Sequence, residues 1–260
     1  MYATGHFPRR PTTFRPMKVV ESIPVFERGA FPKSLEWQKA KDQVHEAVKC
    51  VDWPHGAGTF TIYPERATDK KGLGGNGVLP IKEPCITKLE EFGWEVETLP
   101  EIIDGVLGTG DLDAVITTSA GKIAFEWETG NISSAHRAIN KLLMGLKFGG
   151  IIGAILVVPS NRLKVWLTER IGNIGELRPY FRLWDDAKLQ NDEGVLQIIV
   201  CEHDAESTGV PRIPKQFGGN SKAGRAMREA RRKNAKRKAQ RDAKRPRKKS
   251  PSPKHRPRHR

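Results

Sequence analysis

Apolar and polar positions alternate in ways that divide this chain before any chemistry is considered. From Ser34 onward, Trp37, Ala40, Val44, Ala47, Val48 and Val51 recur at steps of three and four. That spacing predicts an amphipathic helix capped by Ser34 and ending near Val51. Thr59 to Tyr63 reads as a short strand, and a second helix begins near Pro80, a residue tolerated in a first turn, and runs towards Phe92. Asp113 to Thr118 and Ile123 to Thr129 alternate with period two around Ser119-Ala120-Gly121-Lys122 and predict a hairpin. Ala135 to Lys147 carries Ile139, Leu142, Leu143 and Leu146 on one helical face. Ile151 to Val158 is a continuous apolar run closed by Pro159, as in a strand buried on both faces; Asn161 to Ile171 is expected as a helix and Leu196 to Cys201 as another buried strand. Strands alternating with helices predict an α/β core.

Two stretches lack such periodicity. Residues 1–33, with Pro, Arg and Phe in no regular order, are expected to be a mobile arm, leaving 34–220 as the body. Gly72 to Gly77 resembles a phosphate cradle only superficially, because no Gly-Lys-Ser/Thr ending follows; a flexible loop is the expectation.

Charge sharpens this division. The 260 residues carry a formal charge of +15, yet residues 221–260 alone hold 19 Lys or Arg against Glu229 and Asp242. The tail is therefore +17 and everything before it −2. Such a tail cannot bury a core, and its composition suits phosphate contact. Cys50, Cys85 and Cys201 have neither metal-site spacing nor an even count, which fits a reducing cytoplasm. The N-terminal residues lack the apolar run of a secretory signal, and no stretch approaches a membrane span, so a cytoplasmic protein without membrane contact is expected.

The hairpin is where pattern meets chemistry. With its turn centred on Ala120-Gly121, Asp113 would face Glu128 and Val115 would face Glu126. Residues opposed across strands share a face, as do residues two apart, so Asp113, Glu126 and Glu128 fall on one side. Ala114, Ile116, Phe125 and Trp127 point to the other. Clustered carboxylates are hard oxygen ligands for a divalent cation such as Mg²⁺, although D-x-D and E-x-E patterns also occur on solvated hairpins.

The run Glu126-Trp-Glu-Thr-Gly-Asn-Ile-Ser-Ser-Ala-His-Arg-Ala-Ile-Asn-Lys-Leu-Leu-Met-Gly-Leu-Lys-Phe-Gly149 resembles the BamHI family of type II restriction endonucleases. Thr59-Phe-Thr-Ile62, Asn76-Gly-Val-Leu-Pro-Ile-Lys-Glu83, Pro179-Tyr-Phe181 and Val210-Pro-Arg-Ile-Pro-Lys215 match in the same order, covering roughly residues 40–222. The resemblance implies a PD-(D/E)xK core, a mixed central sheet flanked by helices, with a glutamate in the usual lysine place. It implies Mg²⁺ ligation, with two ions per site, by Asp113, Glu126, the Trp127 carbonyl and Glu97. Glu90, Glu91 and Asp111 remain rivals to Glu97. Glu128 would be the general base.

The resemblance further implies that Asn131, Ser133 and Arg137 approach bases in the major groove, although Ser133 or Ser134 could instead cap a helix. Glu169 and Arg170 would form a second base-reading pair, where the family has Asp-Arg. Residues 216–220 would approach the minor groove, and Lys82 either contacts a phosphate or is an ordinary exposed lysine. The implied substrate is double-stranded DNA at a palindromic six-base site such as GGATCC, cut to 5′-phosphate and 3′-hydroxyl ends. A homodimer and a cognate DNA methyltransferase follow from that activity. The stripe Ile139, Leu142, Leu143 and Leu146 serves either the dimer interface or the core. Rival readings are a DNA-binding protein that has lost catalysis and a less specific repair or recombination nuclease.

Overall fold

The computed structural model describes residues 17–67, 74–98, 111–148, 150–168 and 171–215. The first element corrects the expected N-terminal arm over residues 17–33, while residues 1–16 of it lie outside the described residues. Strand β1, Lys18–Arg28, pairs antiparallel with a strand near the other end of the body, and Met17 before it is fully buried. Residues 17–33 therefore belong to the body. A 3-10 turn at Phe31–Lys33 leads into helix α1, Leu35–Lys49, where the Ser34 side chain accepts from the Trp37 N–H at 3.1 Å as the spacing predicted. Its buried face is Trp37, Ala40, Val44, Ala47 and Val48.

Strand β2 is only Thr61–Ile62, and helix α2 spans Leu79–Glu91 with Pro80 in its first turn and Pro84 inside. Strand β3, Glu95–Thr98, was not anticipated; β4, Leu112–Thr117, and β5, Lys122–Trp127, form the expected hairpin. Helix α3 is Ile132–Lys147 and β6 is Gly153–Pro159. The helix expected over 161–171 shrinks to α4, Asn161–Lys164. Short helices α5, Ile174–Leu177, and α6, Phe181–Asp185, precede β7, Gly194–Glu202, and β8, Ala205–Glu206.

Six strands form one mixed sheet in the order β1-β7-β6-β5-β4-β3, and β2 pairs separately with β8. Strands β5, β6 and β7 run parallel, whereas β3-β4-β5 and β1-β7 are antiparallel. Every residue of β6 is buried, because helices cover both faces of the sheet. On one face α1 and α2 bring Trp37, Val44, Ile86 and Leu89 against Phe125, Ile155 and Val157. On the other, α3, α5 and α6 bring Ile139, Leu142, Leu146, Leu177 and Trp184 against Leu156 and Ile198. The stripe on α3 is thus spent within the chain: Ile139, Leu142 and Leu146 are core, and Leu143 is only partly buried beside them.

The hairpin register is offset by two from the one the turn position predicts. Val115 lies opposite Ala124 and Ala114 opposite Phe125, so the same register sets Asp113 beside Glu126, not Glu128. The Thr118 side chain explains the shift. Its hydroxyl donates to the Gly121 carbonyl at 2.7 Å and accepts from the Ala120 N–H at 3.2 Å, closing the chain around Ser119-Ala120. A slip of two preserves the faces, so the three acids keep their common side.

Candidate active site

The site is built at the end of β5, where the strand runs out between α2 and α3. Asp113 on β4 is fixed by the backbone: the Trp127 N–H donates to its carboxylate at 2.8 Å. Glu126 beside it is buried. Glu128, one residue past the strand, has its own N–H tied to the Val157 carbonyl at 2.9 Å. Its side chain accepts from the Gly130 N–H. These bonds hold the Asp113 and Glu128 carboxylates to the backbone at and just beyond the end of β5.

Glu97 also reaches this edge. Val96 lies opposite Ala114 and Thr98 opposite Leu112, which sets Glu97 level with Asp113 at a kink where its φ is +49°. Two of its three rivals lie away from this edge. Glu90 and Glu91 are exposed on the last turn of α2, Glu91 pairing with Lys88 at 3.2 Å; Asp111 stays beside the cluster, its backbone carbonyl accepting from Lys141 at 2.7 Å.

Two lysines enter the cluster. Lys82 from α2 donates to Asp113, and Lys141 from α3 pairs with Glu126. Lys82 is therefore not an isolated surface lysine. Burial works against its charged form, but the attractions of Asp113, Glu126 and Glu128 outweigh that and hold it above its usual value. Lys141 was missed by sequence reasoning. Its place at four-residue steps from Ser133 and Arg137, on the polar side of α3, was the available signal.

The electrostatics are uneven. Burial, reinforced by the Asp113 charge, raises Glu126 from 4.5 to about 8 despite Lys141 and Lys82. Burial also raises Glu128, against the Gly130 hydrogen bond that favours its charged form. Carboxylates so placed hold protons more tightly than exposed ones, and added positive charge works against that. Among the described residues no three His, Cys, Asp or Glu side chains form a ready-made metal cage. A cation at Asp113 and Glu126 would instead take over from the lysine ammoniums and complete its shell with phosphate and water. That manner of binding is common for Mg²⁺, and the hard oxygen donors present fit it.

The expected base-reading residues start immediately after the cluster. Asn131 caps α3, its side-chain oxygen accepting from the Ser134 N–H at 2.9 Å, so the cap is neither Ser133 nor Ser134. Asn131, Ser133 and Arg137 are all exposed, and the positive charge of Arg137 is felt at Glu128. Glu169, Arg170 and residues 216–220 lie outside the described residues. The flanks of the former pair are fixed, however: Leu167 bridges to Asn76 and Ile171 to Asn131. Among the described residues no helix is long and apolar enough to cross a membrane.

A mixed sheet sandwiched by helices, with acids at the end of its central hairpin, defines a PD-(D/E)xK nuclease fold. The chain is similar in structure to the restriction endonuclease BglII solved in complex with a DNA 16-mer, with a TM-score of 0.50 at 10% identity over 71% of this chain and 79% of that one. The particular family follows from sequence. The model of restriction endonuclease BamHI matches residues 17–220, and the chain belongs to that family. It is 42% identical to the type II restriction enzyme OkrAI of Oceanobacter kriegii over 180 residues, 69% of this chain and 88% of that enzyme. It is 38% identical to the type II restriction enzyme BamHI of Bacillus amyloliquefaciens over 193 residues, 71% and 84% of the respective chains. It is a type II restriction endonuclease, a class whose members generally use divalent metals.

Proposed function

We propose that this endonuclease hydrolyses both strands of duplex DNA at a palindromic six-base site, GGATCC or a close relative, as an Mg²⁺-dependent homodimer. The observation that carries this reading is the adjacency of two different surfaces. The carboxylate cluster of Asp113, Glu126 and Glu128 ends where the exposed row Asn131, Ser133 and Arg137 begins. One surface has the chemistry to cut a phosphodiester and the other has donors suited to purine edges.

Asp113, Glu126, the Trp127 carbonyl and Glu97 would hold the metal, two ions per site. When bound, the metal polarises the phosphate and stabilises charge on the attacking and leaving oxygens. Glu128 would take the proton from the attacking water. Its raised affinity for protons makes it a stronger base than an ordinary surface carboxylate. Lys82 and Lys141 neutralise the acids before DNA arrives, and Lys82 then becomes available to a phosphate oxygen. Arg137 can offer a fork to guanine, while Asn131 has its amide nitrogen left for a base after its oxygen has capped α3.

The tail carries 19 Lys or Arg within residues 221–260 and would add sequence-independent phosphate contacts. A cytoplasmic host would need a cognate DNA methyltransferase to protect its own sites. Digestion of unmethylated plasmid carrying GGATCC, with Mg²⁺ and then with EDTA, tests the reading. Discrete fragments that require Mg²⁺ and map to the site are expected. Cleavage without site preference, or binding without any cleavage, would overturn it.

A further inference from the structure

Residues 74–77, the described part of the glycine-rich stretch expected to be a flexible loop, form a packed knot centred on Asn76. Asn76 is fully buried, and its side chain uses both ends. Its amide nitrogen donates to the Tyr63 and Trp166 carbonyls, each at 2.8 Å, and its amide oxygen accepts from the Ile213 N–H at 3.1 Å. Its backbone N–H donates to the Trp166 carbonyl at 2.8 Å and its carbonyl accepts from the Thr168 N–H at 3.0 Å. One residue thereby joins four segments that are far apart in sequence.

The neighbouring glycines exist to let these segments meet. At Gly77, whose N–H donates to the Ile213 carbonyl at 2.8 Å, an added Cβ would lie 1.9 Å from the Pro214 carbonyl oxygen. At Gly75, with φ +68°, it would lie 2.7 Å from the Leu167 carbonyl oxygen. Both clashes are with backbone, so neither is relieved by turning a side chain. A buried polar hub with every group satisfied is rigid, and leaving any one partner unmet is costly.

The position of this knot connects it to cleavage. Gly77 leads directly into α2, which carries Lys82 to Asp113. Leu167 and Thr168, held by Asn76, immediately precede residue 169 in the sequence. On the far side Ile171 bridges to Asn131, three residues beyond Glu128.

We infer that Asn76 is a positioning residue for site recognition: it sets the 166–168 segment relative to α2, so that base reading and the carboxylate cluster act in one frame. It touches neither metal nor DNA, and its effect passes through Leu167, Thr168 and α2. This inference rests on the proposed site-specific cleavage. Loss of that frame should blur discrimination between sites more than it slows cutting at the right one.

The test compares the unmodified protein with Asn76→Asp, which keeps the oxygen for Ile213 but removes both N–H donations. Cleavage is measured on the mapped site and on sites with one changed base pair, at a temperature where the variant is folded by circular dichroism. The ratio of cognate to mismatched rates should fall about fivefold or more, the least that one well-placed base contact supplies. A variant that loses rate equally on all sites would show Asn76 to be merely structural and overturn the inference. Hydrogen exchange of the unmodified protein provides a second measurement that needs no variant. Peptides covering 160–168 and 208–215 should be protected without DNA, and rapid exchange there would equally refute a preformed frame. If the unmodified protein itself shows no site preference, the proposed function fails instead, which is a separate result.

Discussion

The sharpest consequence of the site concerns Glu126 in the absence of metal. The residue is 6% exposed, and burial followed by the Asp113 charge raises its carboxyl from 4.5 to about 8. The folded protein then binds a proton at Glu126 that the unfolded chain has released everywhere between those two values. Stability from this group is complete below about pH 4.5 and is lost as the pH rises through about 8. A gap of this size corresponds to at most about 5 kcal/mol, at about 1.4 kcal/mol per pH unit. That is a large part of the about 5–15 kcal/mol that typically holds a domain folded.

Glu126→Gln provides the comparison, since glutamine keeps the shape and cannot ionise. Urea denaturation of both proteins in EDTA, from pH 5 to pH 8, isolates the term because other titrating groups largely cancel in the difference. The native protein should lose several kcal/mol relative to the variant across that range. Mg²⁺ at pH 8 should close the gap, since a cation bound to the ionised carboxylate stabilises only the folded state. Parallel curves in EDTA would refute the reasoning, because they would mean that Glu126 ionises in the folded protein without penalty.

Two further outcomes follow from the proposed roles. Glu128→Ala should abolish cleavage, with a rate loss of about 10²-fold or more, while retaining specific binding in a mobility-shift assay; undiminished cutting would remove Glu128 from the chemistry. Replacing the Lys and Arg of residues 221–260 by Gln in the full chain should flatten the dependence of binding on salt, each lost phosphate contact reducing the logarithmic slope by about 0.9. An unchanged slope would exclude the tail from DNA.

How far the sequence led depended on whether an element is defined by its own pattern or by distant partners. Helices α1 and α3 and the buried strands β6 and β7 were legible because burial imposes a period, or its absence, on each of them separately. The acids were legible as a face, since strand alternation survives a slip of two. Their pairing was not, because one hydroxyl, that of Thr118, moved the turn. Strand β1 was hidden for another reason: it is largely exposed, contains Pro24 and exists only by pairing with β7 about 170 residues away. The lysines at the site were nearly as silent. Lys82 was singled out only by resemblance and Lys141 had only its spacing from Ser133 and Arg137 to mark it; their pairing with the acids appears once α2 and α3 converge on the end of β5. The same holds for Asn76, whose partners come from three other segments.

The outer strand β1 also bears on how two copies of such an enzyme meet. Its register with β7 shifts between Val19 and Glu21 and again between Pro24 and Phe26, and Pro24 has no N–H to offer. Glu21 and Glu27 stand exposed along it. A second chain approaching that side finds a broken, charged hem instead of a straight ladder of amides, so the sheet ends there. Strand-to-strand growth from that edge, which would build open-ended stacks, is thereby disfavoured, and the proposed homodimer would instead be a closed twofold pair seated on side chains. Under the proposed function, only a closed pair would bring two cutting centres to the two strands of one short palindrome.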